Sequence, residues 1–456
     1  MAIGAIEPQF HTQLLQRTDA EFKAQQDAAR WPQRRPQRGF SVHLPEIIRA
    51  ATPRAAPSRE EENMGQAYIV AAVRTAGGKR GGRLSGWHPV DLAAKVLDAL
   101  VERSGIDPAA VEDVIMGCVG QAGEQSTNVG RNAVLASTLP ESVPGTSIDR
   151  QCGSSQQALH FAAQAVMSGT MDIVIAAGVE SMSRVPMNMP SALPRKNDLG
   201  FYMSAGLREH YPDAPEFSQF VGAEMIAQKY GLSRDLLDQF AFDSHQRAIA
   251  ATRAGAFDEE ILPLEARSAD SGATGGMHAV DEGIRFEATL EGIRNVKLLQ
   301  EGGSISAANA SQICDGATGV LVVSEKALKE HGLTPLARIH HMTLLGHDPV
   351  VMLEAPLPAT VKALKKAGMS IDDIDLFEVN EAFASVPLAW LQATGADPAR
   401  MNVNGGAIAL GHPLGASGTR LMTTLVHALR KRGKRYGLQT MCEGGGMANV
   451  TIVERL

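Results

Sequence analysis

Four short segments carry residue types that can do chemistry together. Cys152 lies in Asp149-Arg-Gln-Cys-Gly-Ser-Ser, where an extended stretch gives way to a helix. The free N–H groups and partial positive charge of a helix start favour a thiolate over a thiol, and the same N–H groups can hold a developing oxyanion. A cysteine there can be a nucleophile, although buried cysteines often only pack. His412 sits among five glycines in Gly405-Gly-Ala-Ile-Ala-Leu-Gly-His-Pro-Leu-Gly-Ala-Ser-Gly418. Such a loop lets an imidazole approach a ligand and take a proton near neutral pH. Cys442-Glu-Gly-Gly-Gly446 follows an apolar run, and its glycines, Gly444 among them, leave backbone N–H groups able to face a substrate. Asn380, in Asn380-Glu-Ala-Phe-Ala384, also follows such a run. It can polarise a carbonyl or serve as an ordinary helix N-cap.

The elements that must position these residues repeat one grammar. Ala67 to Val73, Val114 to Cys118 and Asp172 to Ala177 read as strands, the last uninterrupted, as expected when helices cover both faces. Helices are expected at Pro89–Ser104, with Leu92, Val96 and Leu100 on one face, at Asn128–Ala136, and from Cys152 to Ser168, stopped by Gly169. In the C-terminal third, Asp375 to Val379 is a strand, Ala416 to Arg432 a helix stopped by Gly433, and Tyr436 to Cys442 a strand. A long helix, a glycine stop and a buried strand thus occur twice, with Cys152 aligning near Ala416 or Ser417, which points weakly to duplication. Between the copies, the stretch 182–311 is rich in Met, Pro, Gly and charge, with one clear helix from Leu236 to Arg253.

Composition narrows the function. The 456 residues are 44% hydrophobic and 20% charged, so a sizeable core is available. A net charge of −7 argues against nucleic acid as the main partner. No apolar run reaches the ~18 residues of a membrane span. Cys118, Cys152, Cys314 and Cys442 show no short repeating spacing, hence neither a zinc motif nor a disulfide framework, and metal ligands are not expected. This composition suits a reducing compartment, and a cytoplasmic location is expected. Residues 1–63 differ: six prolines, and nine basic against eight acidic residues, read as a disordered extension ahead of Met64, with a docking tail as the alternative.

Together the four segments resemble those of the thiolases, the acyl-CoA acetyltransferases, in the right order and over about Met64 to Leu456. The resemblance implies an α/β fold with a duplicated core, two similar halves each built on a mixed sheet covered by helices, and an inserted loop domain over coenzyme A. The halves would span 64–181, completed by 312–332, and 333–456, with the insert at 182–311. It implies Cys152 as the acyl-accepting nucleophile, His412 as its base and Cys442 as the second acid/base. Asn380 with His412 would build one oxyanion site through a water, and the amides of Cys152 and Gly444 the other. Ser311, in Ala308-Asn-Ala-Ser-Gln, matches the serine that meets the pantetheine of CoA. Coenzyme A would be a co-substrate, with no permanently bound cofactor. The assembly would be a homodimer or homotetramer, with other β-oxidation enzymes as possible partners.

The reaction implied is cleavage of a 3-ketoacyl-CoA by CoA, or the reverse Claisen condensation. Arg184-Val-Pro-Met187 resembles the degradative branch, where the acetoacetyl-specific biosynthetic branch more often has a Pro-His pair. Three alternatives stand beside this reading: a biosynthetic thiolase, a ketoacyl synthase-like condensing enzyme, and a non-catalytic CoA- or lipid-binding protein. Cys442-Glu-Gly-Gly-Gly446 and Asn380-Glu-Ala-Phe argue against the synthase. Cys118 and Cys314 read as structural.

Overall fold

The computed structural model describes residues 65–269 and 272–456, so the expected extension at 1–63 lies outside the described residues. Its main sheet contains β1 (Ala67–Thr75), β2 (Asp113–Gly117), β3 (Gly145–Ile148), β4 (Ile173–Ser181), β5 (Cys314–Ser324), β6 (Ala337–Gly346), β7 (Leu376–Val379), β8 (Tyr436–Glu443) and β9 (Met447–Arg455). Two-residue strands at Gly78–Lys79 and Ile261–Leu262 attach at its margin. The order is β7-β8-β9-β6-β1-β5-β4-β2-β3.

That order is a duplication. The N-terminal half reads β3-β2-β4-β5-β1; the C-terminal half reads β7-β8-β9-β6, with Met401 bridging β7 in parallel where β3 pairs β2. The sense of each pair matches: β2 and β4 are parallel like β7 and β8, while β4–β5 and β5–β1 are antiparallel like β8–β9 and β9–β6. The half-sheets meet at β1 and β6 through the two pairs Tyr68–Arg338 and Ile69–Ala337. The weak sequence signal for two copies is therefore real at the level of topology.

The helices follow the same rule. α1 (Pro89–Ser104), α2 (Val129–Leu135) and α3 (Ser154–Met167) of the first half correspond to α4 (Pro356–Ala367), α5 (Ser385–Thr394) and α6 (Ser417–Lys431) of the second. α1 and α2 pack one face of the N-terminal sheet through Leu92, Val96, Leu100 and Val134. α3 and α6 lie between the halves, where Leu159, Ala162, Met422 and Leu425 join Val320 and Val174 of one sheet with Ile339 and Val453 of the other. α6 is buried from Ser417 to Leu429, and two of its polar residues find partners inside: Thr424 donates to Glu260 Oε1 at 3.1 Å, and the His427 ring meets the Ala72 carbonyl at 3.3 Å.

The segment between β4 and β5 is more ordered than its composition suggests. Besides the expected helix, which runs Arg234–Arg253, it forms helices at Met189–Lys196, Ala205–His210, Gln219–Lys229 and Leu290–Arg294 and a hairpin of Leu264–Ser268 with Gly272–His278. Most of these pieces are too short or too polar to show a 3.6-residue apolar period, which is why the sequence reading missed them. A buried charge cluster ties this segment to the core. Arg74 of β1, fully buried, donates from Nε to Glu260 at 2.6 Å and from Nη1 and Nη2 to Asp281 at 2.7 and 3.0 Å. Removing one member of such a cluster strands the others without compensation. Arg74→Met should therefore cost about 3–5 kcal/mol of stability, read as a fall in the urea midpoint at unchanged slope.

Candidate active site

The four segments converge where strands of both halves end and the central helices begin. This is the usual place for a site in sheets with parallel strands. Cys152 precedes the first residue of α3 by two positions, and Gly415 stands in the same place before α6. His412 and Cys152 thus occupy equivalent connections of the two halves, aligned one residue away from where sequence periodicity put them. Cys442 comes from the end of β8, and Asn380 follows β7, its N–H donating to Thr440 O at 3.1 Å.

Local chemistry shapes each turn. Gln151 adopts φ +50, a conformation that L-residues rarely take, held by its N–H to Asp149 Oδ1 at 2.7 Å. This kink presents Cys152 at the floor of a cavity of about 610 Å³ that Cys442, Gly444 and Gly445 also line. Gly444, Gly445 and Gly446 form the tight connection of the β8–β9 hairpin; φ values of +80 and +74 at the last two suit only glycine. A Cβ on Gly444 would lie 2.8 Å from Gln151 Oε1, so the Gln151 side chain packs closely on the Gly444 backbone.

The imidazole of His412 is fixed by its neighbours. Ser417 Oγ donates to the Pro413 carbonyl at 2.8 Å, which leaves that oxygen to accept from His412 Nδ1 at 2.5 Å. Nδ1 therefore carries the hydrogen, and Nε2 holds the lone pair. Asn380 Nδ2 faces Nε2 at 3.4 Å. Asn380 is not an N-cap: the next helix begins at Ser385, capped by Ala384. Among the proposed site residues, Cys152, Cys442 and Gly444 share the cavity, and Asn380 and His412 pair beside its lining residues Ala382 and Leu414. Ser311 stands apart from the lining, its N–H on the Ala382 carbonyl at 2.9 Å.

Burial governs the protonation states. It pushes the Cys152 thiol up to about 12, and Glu443, wherever it is ionised, opposes the thiolate further. Burial also lifts the Cys442 thiol, and a charge on Cys152 would lift it further. Burial, with Arg420, lowers His412 to about 3. Loss of hydration thus works against the charge that the helix start favours, and it favours a thiol beside a neutral imidazole at rest. Sequence reasoning also missed two buried carboxylates. Glu180 accepts from Val119 N, Gly120 N, Gln125 Nε2 and Gly415 N, tying the loops around the cavity together. Its signal was available, as an acid in the otherwise apolar run of β4. Glu443 had no such signal.

Residues 67–326 match the family model described as thiolase, N-terminal domain, and 333–455 that of the thiolase, C-terminal domain. The chain belongs to the thiolase family. As a thiolase it is an acyltransferase. It is 53% identical over 396 residues to the steroid 3-ketoacyl-CoA thiolase FadA6 of Mycobacterium tuberculosis, covering 86% of this chain and 95% of that protein. It is 41% identical to the 3-ketoacyl-CoA thiolase of Cronobacter sakazakii, covering 86% and 100%. The human mitochondrial 3-ketoacyl-CoA thiolase superposes with a TM-score of 0.77 at 36% identity, covering 86% of this thiolase and 99% of the human chain. The same human enzyme has been solved with CoA. Among the described residues, no helix is long and apolar enough to cross a membrane.

The orientation of His412 can be tested through its partner. Ser417→Ala leaves Nδ1–H without an acceptor in a buried site, a loss of about 1–3 kcal/mol. The kcat of this variant should fall about 10- to 100-fold with KM nearly unchanged, measured by steady-state thiolysis.

Proposed function

We propose that this thiolase cleaves 3-ketoacyl-CoA with CoA, giving acyl-CoA and acetyl-CoA, through an acyl-enzyme on Cys152. The observation that carries the reading is the meeting of two thiols, one from each half, on a single cavity. His412 Nε2, whose lone pair meets Asn380 Nδ2 at a long 3.4 Å, takes the Cys152 proton as sulfur attacks the keto carbon. The amides of Cys152 and Gly444 hold the alkoxide oxygen that forms on the attacked carbon. Because thiol and imidazole both resist charging, the proton moves with the attack rather than before it.

Collapse of the adduct breaks the carbon–carbon bond and leaves the thioester on Cys152 and the enolate of acetyl-CoA. His412, now protonated on Nε2 and so a donor, and Asn380 hold the enolate oxygen through a water, and the Cys442 thiol protonates the carbon. Incoming CoA gives its thiol proton to the Cys442 thiolate and attacks the thioester. Cys152 leaves and recovers its proton from His412. Ser311 takes the pantetheine contact that its segment's likeness to the family implies.

The acyl group is larger than acetyl. Met182, Val185, Met187, Phe217, Met352 and Leu353 give the cavity an apolar, adaptable wall, and the 53% identical relative is named for steroid substrates. Thiolysis should be faster with bulky or long 3-ketoacyl-CoA than with acetoacetyl-CoA; the opposite order points to a biosynthetic thiolase. In the same assay, Cys152→Ala should lose both directions of reaction. Cys442→Ala should lose turnover by at least the ~10²–10⁴-fold typical of general acid–base help. It should still acetylate Cys152 slowly from acetyl-CoA, visible by intact-mass spectrometry. Near-native thiolysis by Cys442→Ala would remove that residue from the mechanism.

The assembly is a homodimer or a dimer of dimers. β3 lies at the edge of the main sheet, four residues before Cys152, and an edge strand offers its outer backbone groups for pairing. Light scattering should give a mass of two or four chains.

A further inference from the structure

Glu443 is adjacent to Cys442 in sequence yet plays no part in the mechanism above. Neighbouring side chains of a strand point to opposite faces, and accordingly Cys442 lines the cavity whereas Glu443 does not. The Glu443 side chain instead lies behind the nucleophile: a Cβ placed on Gly153 would fall 2.0 Å from Glu443 Oε1. Glu443 is fully buried, and neither of its oxygens accepts a hydrogen bond of standard geometry. A carboxylate at this place would be poorly compensated, and it would oppose a thiolate on Cys152 one residue away from the contact.

We propose that Glu443 is a positioning residue that controls Cys152 from behind, permissive as a neutral carboxylic acid and inhibitory once it ionises. The proposal rests on the role assigned to Cys152 above. The groups facing Glu443 are few. Arg150, from the turn before α3, and the backbone N–H of Asn449 in β9 favour its charge. Cys152 and Cys442 face it as thiols whose ionisation its charge resists, and Asp149 adds a weaker charge of the same sign at Cys152. His160, farther along α3, feels Arg150 and is held neutral by burial. Loss of hydration dominates this balance and raises the Glu443 carboxyl to about 8. The acid is neutral below that pH, and the site should lose activity as pH rises through it.

The experiment compares wild type with Glu443→Gln, a neutral replacement of equal size. It measures thiolysis from pH 6 to 10 and the alkylation rate of Cys152 by iodoacetamide, with the labelled cysteine identified by peptide mapping. The wild type should decline near pH 8, whereas Glu443→Gln should equal it within about threefold at pH 7 and exceed it about three- to tenfold at pH 9. Cys152 of the variant should also alkylate faster at pH 9. Glu443→Asp, which keeps a carboxyl, should keep an alkaline decline. Should the Gln variant not fold, Arg150→Gln reads the same coupling from the other side: loss of the cation raises the carboxyl and moves the decline to higher pH. Superimposable profiles with the label on Cys152 would overturn the role of Glu443 alone. A label found only elsewhere would overturn the role of Cys152, and this proposal with it.

Discussion

The close approach of the two central helices is the constraint on which the site depends. A Cβ at Gly418, in the first turn of α6, would lie 2.0 Å from the backbone nitrogen of Gln156 in the first turn of α3. The Thr419 N–H donates to Ser155 Oγ at 3.0 Å across the same contact. The helix starts are therefore pressed together, and whatever precedes each of them must share one small volume. What precedes them is Cys152 on one side and His412 on the other. The duplicated topology brings each connection to its helix, and the glycine lets the helices close.

The same closeness has an electrostatic cost. A site formed at the junction of two sheets and two helices lies deep, and depth disfavours every charge the chemistry uses. The thiols are lifted, the imidazole is lowered, and Glu443 joins them as a carboxyl easier to protonate than to pair. Charge then appears chiefly when a substrate supplies the oxygen on which it can rest, where preorganised donors are strongest. Where the fold needs permanent charges inside, it surrounds them, as with Arg74 between Glu260 and Asp281 or Glu180 among three backbone amides and Gln125.

The sequence made much of this legible. Strands buried on both faces, such as β4, show as apolar runs, and helices such as α1 show by the spacing of Leu92, Val96 and Leu100. The catalytic candidates showed because cysteine, histidine and asparagine sat beside glycines in four connections. Residues that act through others were harder to see. Ser417 looks like an ordinary residue of a helix start until its hydroxyl is found between the Pro413 carbonyl and the ring of His412. Short helices in the segment between β4 and β5 escaped because a helix of two turns carries too little periodicity to announce itself.

The sequence by itself determined the elements, the reacting groups and the order in which they occur, since these follow from local periodicity, turn chemistry and residue type. Only the tertiary structure decided their ionisation and orientation. A helix-start cysteine suggests a thiolate on local grounds; the hydration lost in the fold pushes the other way. Asn380 had the look of a cap; in the fold its amide faces His412. Hydration lost on burial and the position of a hydroxyl from another turn depend on what the rest of the chain places around a residue, and no local window of sequence contains that.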